Sequence, residues 1–469
     1  MRELQILIDQ VRVGTLRDQD NLWQLSYDDS WARRDDAFDL SPALPRSSLQ
    51  HLDGASQRPV QWYFDNLLPE EALRRLVALE AGVRDHEDAF ALLAYLGAES
   101  AGSLTLLAPG APAATASALQ PLPYGALSQR IQQLPRTALT RQAPKRMSVA
   151  GAQHKLLVVR KGEALFEPVG ATPSTHILKP DHPGADAYPA SAFLEYLTMT
   201  LAKAAALPVP AFGLMHVPEP VYVIERFDRQ VAAGGFDPAT GATPPSVQRL
   251  HVIDACQLLN RSRLFKHAGA TVQALREAIE RAGDTLTAPQ RVFRWLVFNL
   301  LVGNDDCHLK NLSFMVQGAG ITLAPHYDLL ATAVYHTPAI AGEHGLWPQV
   351  PLAVRLADDV RHFDAVTPEA VLQAAQVLGV PRQAASRVVQ DVVARTLRQF
   401  DRIYAEHFPG EAGLLLADND ADPAIRDGLD DGLQATSEPA SSANLAIERR
   451  ILRVLRHVIL PDMRMRLLA

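Results

Sequence analysis

The alternation of apolar and polar positions predicts an α+β chain that becomes mostly helical after its first half. Short alternating runs at Leu4 to Val13 and Trp23 to Tyr27 predict a small sheet. Phe38 to Pro45 is a proline-punctuated extended piece. Helical spacing follows Tyr63-Phe64-Asp65-Asn66-Leu67-Leu68-Pro69, with Leu73, Leu76 and Val77 on one face and Glu70 and Glu71 suited to a helix start. A second helix is predicted from Ala89 to Tyr95, stopped by Gly97. This predicts a compact unit over residues 1–108, in which Asp65-Asn66 reads as a turn pair. From Ala108 to Ala118 the chain turns to Ala, Pro, Gly and Ser, and a linker region is placed at 109–140.

Two further regions follow from the same pattern. In 141–229, strands are predicted at Leu156 to Arg160, Thr175 to Pro180 and Val221 to Ile224, with a helix from Ser191 to Ala206. In 230–469, helices are predicted at Val252 to Leu259, Ala270 to Arg281, Pro289 to Val302, Pro368 to Leu378, Arg382 to His407 and Ala446 to Val458. Leu312 to Val316 and Ile321 to Pro325, around Gln317-Gly318-Ala319-Gly320, form a hairpin signature. Ala232 to Pro245 reads as a loop. Asp418 to Ser442, acidic and poor in apolar residues, reads as a disordered surface insertion.

Composition narrows the class. The net charge of −7 gives no general attraction to nucleic acid, so any DNA contact would be indirect. Two cysteines, Cys256 and Cys307, exclude a disulfide scaffold and a cysteine-rich zinc site and fit a reducing cytoplasm. The first apolar run is broken by charge too early for a signal peptide, and the region Leu197 to Ile224 carries Lys203, Pro208, Pro210 and Glu219, so no membrane span is expected.

The chemistry concentrates in Gly303-Asn304-Asp305-Asp306-Cys307-His308-Leu309-Lys310-Asn311, which follows an apolar helix. Such a density of polar groups is costly in a core. The hairpin folds Asp328 back beside this loop. Asn311 and Asp328 are hard oxygen ligands suited to Mg²⁺. Asp306, five residues before Asn311, is left to activate a hydroxyl, and Lys310 to neutralise a phosphoryl group. That is the division of labour of a kinase. Upstream, the small-residue loop Ser148 to Lys155 would cover ATP, Lys179 would meet its phosphates, Glu195 would hold Lys179, and Glu225 to Phe227 would form the hinge.

Ser148-Val149-Ala150-Gly151-Ala152-Gln153-x-Lys155, His176-Ile177-Leu178-Lys179-Pro180, Glu225-Arg226-Phe227-Asp228-Arg229, the Gly303 loop, Tyr327-Asp328 and the Tyr63 to Pro69 run together resemble the HipA family. The resemblance implies a bilobal protein-kinase-like fold with an N-terminal subdomain, and a serine/threonine kinase toxin of a toxin–antitoxin pair. It implies Asp306 as base, Mg²⁺ on Asn311 and Asp328, and an ATP site built from Ala150, Gly151, Ala152, Gln153, His154, Lys155, Lys179, Glu195, Glu225, Arg226, Phe227, His308 and Tyr327. It further implies self-inactivation by phosphorylation of Ser148, an aminoacyl-tRNA synthetase or similar protein substrate, and a small helix-turn-helix antitoxin of HipB type that links the chain to operator DNA. His154 stands where the family often has glutamate, and Cys307 where glycine is common. Two other readings compete: a weakly catalytic subunit of a DNA-bound repressor, and a small-molecule kinase.

Overall fold

The computed structural model describes residues 1–468 except 112, 113, 115, 149, 233–243, 319 and 410–441. Its first unit is a five-stranded antiparallel sheet in the spatial order Gln50–Leu52, Leu22–Tyr27, Val11–Gln19, Arg2–Ile8, Leu104–Leu107. Leu4, Ile6, Leu16 and Leu25 are buried, as the period of two requires. Helices Pro59–Asp65, Glu71–Glu80 and Ala89–Leu96 belong to the same unit, and Trp23 meets Phe90 edge-on at 5.1 Å between ring centres.

The second sheet has six strands, ordered Phe212–His216, Pro220–Glu225, His176–Pro180, Leu156–Lys161, Ala164–Gly170, Ser117–Pro121. Its last strand and the helix Tyr124–Ile131 correct the expectation of a linker at 109–140. Ser117–Pro121 pairs with Ala164–Gly170, while Leu122 and Leu127 enter a core with Leu156, Val158, Leu178 and Val221. Single leucines in an Ala/Pro/Ser background show no period, so long-range pairing alone makes this segment regular. The helix Ser191–Ala204 packs against the sheet and buries Glu195.

The remaining residues are largely helical. Ala288–Val302, Pro368–Leu378 and Arg382–His407 pack around Phe293, Trp295, Phe298 and Phe400. A three-stranded sheet, His251–Asp254, Ser313–Gln317 and Gly320–Leu323, is tied to the first turn of Ala288–Val302, where Arg291 donates to the Leu323 and Ala324 carbonyls. Here the expected helix Val252 to Leu259 is corrected. Its first half is a strand paired with Ser313–Gln317, and only Ala255–Leu258 is helical, started by an Asp254–Gln257 capping box. β-Branched Val252 and Ile253 favour the strand once Ser313–Gln317 is there to pair with it. The final helix begins at Ser442 and continues through a π-type turn at Leu455–Ile459 to Leu468. The expected insertion, up to residue 441, lies outside the described residues, as does 233–243 of the expected loop. Among the described residues no helix is long and apolar enough to cross a membrane.

Candidate active site

The helix Ala288–Val302 ends at Gly303, whose φ of +69° suits glycine. A side chain there would also meet the Ala333 Cβ at 2.6 Å, so Gly303 is required twice over. Beyond it, buried carboxamides form a ladder. Asn299 Nδ2 donates to the Trp295 carbonyl (2.8 Å), Asn304 Nδ2 to Asn299 Oδ1 (2.7 Å), and the Asp306 N–H to Asn304 Oδ1 (3.0 Å). Asn299 lay inside an apolar helix pattern and was not singled out from sequence. It holds the loop from below. The two adjacent aspartates then part company. Asp305 accepts from His336 Nε2 at 2.9 Å, whereas the Asp306 carboxylate, 57% exposed, has no hydrogen-bond partner among the described residues.

The hairpin turns back as the spacing predicts, with Phe314 opposite Leu323 and the Ala324 N–H donating to the Ser313 carbonyl at 2.9 Å. It delivers Asp328, held at φ +57°, close enough to Asp306 for each charge to be felt by the other. Desolvation by the surrounding residues, and then the Asp328 charge, push the Asp306 carboxyl up to about 7. Burial would raise Asp328 too, but Lys179 and Lys155 outweigh it and hold that group well below the usual range. Asn311 Nδ2 donates to the Asp306 carbonyl at 2.9 Å, which leaves its Oδ1 uncommitted. A carboxylate and a carboxamide oxygen are the donor chemistry Mg²⁺ prefers, so these residues fit it.

Lys179, on the strand His176–Pro180, is shared by two carboxylates. It donates to Glu195 Oε1 at 2.6 Å and also pairs with Asp328. The ammonium therefore stays charged despite burial. Glu195 is fully buried; desolvation pushes it up to about 7, although Lys179 opposes the shift.

The loop over the cleft is docked. Ser148 is buried, its hydroxyl donating to the Leu67 carbonyl (2.5 Å) and its N–H to the Glu99 carbonyl (2.7 Å). The Glu70 N–H reaches the Gly151 carbonyl at 3.1 Å. Gly151 has φ +114°, and a Cβ there would lie 2.7 Å from Lys155 Nζ, which donates to the Ala150 carbonyl at 2.9 Å. Ala152 is exposed and Gln153 half-buried. His154 is buried, its Nδ1 lacks a partner, and burial lowers it to about 4, so it is neutral.

Three expected ATP contacts are changed by their neighbours. The Arg226 guanidinium is buried against Asp228 (2.7 Å) and Glu99 (3.1 Å), while its backbone N–H donates to the Thr175 carbonyl, so its side chain braces the expected hinge segment and is not free for nucleotide. The Tyr327 hydroxyl is spent on Ser313 (2.6 Å) and the Lys310 carbonyl (2.9 Å); its ring packs near Phe227, 5.4 Å between centres. His308 is buried and lowered by that burial to about 3, with Nδ1 unpartnered. Glu225, half-buried at the end of its strand, has a raised carboxyl because of burial.

Lys310 is the clearest correction. It was expected to steady a phosphoryl group, but its ammonium donates to Asn66 at the carbonyl (2.8 Å) and Oδ1 (2.9 Å) and to Asp254 Oδ2 (2.8 Å), with Glu70 Oε1 at 3.5 Å. All three protons are committed. Lys266 pairs with the other Glu70 oxygen at 2.6 Å. Residues 66–70 therefore grip the Gly303 loop through Lys310 and the Ser148 loop through Ser148 and Gly151. Sequence reading treated Asp65-Asn66 as a turn and Glu70 as a helix start; the run Tyr63 to Pro69 was the available hint.

A family model described as the HipA-like C-terminal domain matches residues 147–400, and one for the HipA N-terminal domain matches 4–107. A putative kinase of Sinorhizobium fredii is 33% identical over 66% of this chain and 72% of its own length. The serine/threonine-protein kinase toxin HipA of Shewanella oneidensis is 30% identical, covering 64% and 68% respectively. Among solved structures, HipA from a Shewanella oneidensis complex of HipA, HipB and operator DNA superposes with TM-score 0.70 at 22% identity, over 98% of this chain and 99% of that one. The fold is the bilobal, kinase-like fold with an N-terminal α+β unit, and the chain belongs to the HipA family of protein kinases.

Proposed function

We propose that this chain is an ATP- and Mg²⁺-dependent serine/threonine kinase acting as the toxin of a toxin–antitoxin pair. One observation carries the reading. Among the polar groups of the Gly303 loop, the Asp306 carboxylate is left without a hydrogen bond, while Asp305, Asn304 and Lys310 are all engaged. A base must keep a lone pair for its substrate. Asn311 Oδ1 and Asp328 would hold Mg²⁺, which when bound would neutralise charge on the transferring phosphoryl group. In this reading residues 1–108 brace the site, 141–229 hold the nucleotide and 230–469 supply the base. The substrate is a translation-related protein such as an aminoacyl-tRNA synthetase. The partner is a HipB-type helix-turn-helix protein, through which an acidic chain reaches operator DNA. A cytoplasmic location follows from that role.

Incubation with labelled ATP and Mg²⁺, followed by phosphosite mapping, tests the proposal. Label on the chain and on a protein of cell extract is expected. Its absence from every protein would favour a regulatory subunit, and label on small molecules alone a small-molecule kinase. Self-phosphorylation is expected at Ser148. That residue cannot carry a phosphate where it sits, because its hydroxyl is buried against Leu67 and the added charge of about −1.5 to −2 could not be desolvated there. Modification therefore requires the loop to undock and prevents its return. Ser148→Ala should abolish the self-label, costing only about 0.5–1.5 kcal/mol for one lost hydrogen bond. A self-label that persists at another residue would rule the switch out.

The pH profile follows from Asp306. With its carboxyl near 7, the base is ionised above that pH, so kcat/KM at limiting ATP should fall about tenfold per unit below it. Saturating ATP–Mg²⁺ offsets the Asp328 charge and should shift the acid limb lower. A flat profile from pH 5 to 8 would exclude a raised Asp306 as the base.

A further inference from the structure

His267, Asp306 and His308 bring one ligand atom each within 4.8 Å of one another. The two Nε2 atoms lie 4.0 and 3.9 Å from Asp306 Oδ1, and the two imidazole rings meet edge to face at 4.7 Å. His267 sits in the turn after Arg263–Phe265, on a different segment from the Gly303 loop. Among the described residues no hydrogen bond ties the His267 side chain to the loop, so its Nε2 and that of His308 both face the Asp306 carboxylate uncommitted. We propose that these three side chains form a binding site for a borderline-soft divalent cation of the Zn²⁺ type, separate from the Asn311–Asp328 pair.

The ligand chemistry separates the two sites. Two imidazoles and one carboxylate suit zinc and its neighbours, whereas a carboxamide and a carboxylate suit Mg²⁺. Three protein ligands leave the fourth position to water. Zinc bonds of about 2.0–2.2 Å require ligand atoms somewhat closer than they now stand. His267 and Asp306 are each more than half exposed and can close the difference by side-chain rotation. Burial keeps both imidazoles toward their neutral, ligating form. The surrounding charge favours a cation: Asp305 and Asp328 act on Asp306, and Lys266, the lysine whose charge opposes them there, is already paired with Glu70 and Glu71.

Occupancy would take the Asp306 lone pair, so the cation would block phosphotransfer without displacing ATP. That consequence rests on Asp306 being the base; the binding does not. The test uses the full chain with Co²⁺ as a spectroscopic stand-in and Zn²⁺ as inhibitor. Co²⁺ should give a visible ligand-field band that Zn²⁺ abolishes. His267→Gln should lose the band and need at least about tenfold more Zn²⁺ for half-inhibition, with its rate in Mg²⁺ alone unchanged. A Co²⁺ band in a chain with no kinase activity would uphold the site and overturn the kinase reading. An active kinase that binds no Co²⁺, or whose Zn²⁺ sensitivity survives His267→Gln, would overturn the site.

Discussion

Asp306→Asn should lower the rate of phosphotransfer by roughly 10²–10⁴-fold, the usual contribution of a positioned general base. Three companion measurements give this substitution its meaning. ATP binding should persist, because Lys179, Glu195 and the docked loop are untouched. The melting temperature should not fall. The Asp306 carboxylate makes no hydrogen bond among the described residues, and it is held above its ordinary value by its surroundings, so its ionised form costs the folded state stability. Asp305→Asn should behave in the opposite way: it leaves the base in place but loosens the His336 contact at 2.9 Å, so its effect should be mainly on stability. A variant at Asp306 that retained full activity would remove the base from this site.

The second large effect concerns the fold. Lys310→Met should destabilise the protein by about 3–5 kcal/mol, the range seen when one partner of a buried ion pair is removed. The substitution leaves Asp254 and Glu70 facing each other with no cation between them. Glu70 is held at about 2 because, against its burial, Lys310 and Lys266 favour its charge. A depressed carboxylate adds stability that is complete above its unfolded value, near 4.3, and is lost as pH falls toward 2. Lys310→Met should therefore also flatten that acid dependence. Adding Asp254→Asn should recover part of the loss by removing the orphaned charge. The thermal midpoint decides the role of the lysine. An unchanged midpoint with reduced kcat would return Lys310 to the phosphoryl group.

Lys310 also marks the limit of what could be read in order along the chain. The helix stop at Gly303, the hairpin after Asn311 and the arrival of Asp328 are local events, fixed by glycine's φ, strand alternation and a short turn. The sequence alone therefore determined the kinase-type order of Lys179, Glu195, the loop and Asp328, and several helices were legible from their apolar period to within a residue or two. Regularity at Ser117–Pro121 and the strand His251–Asp254 were not, since each depends on a partner strand far along the chain.

The same reason governs the site. Whether a polar side chain is catalytic or structural depends on what faces it. Lys310 is answered by Asn66, 244 positions away, Arg226 by Glu99, 127 away, and Ser148 by Leu67, 81 away. Residue type and local spacing determined which chemistry this protein carries. Only the tertiary structure decided which of its charged groups are spent holding the site together and which remain free to act, because burial and partnership are properties of packed surfaces.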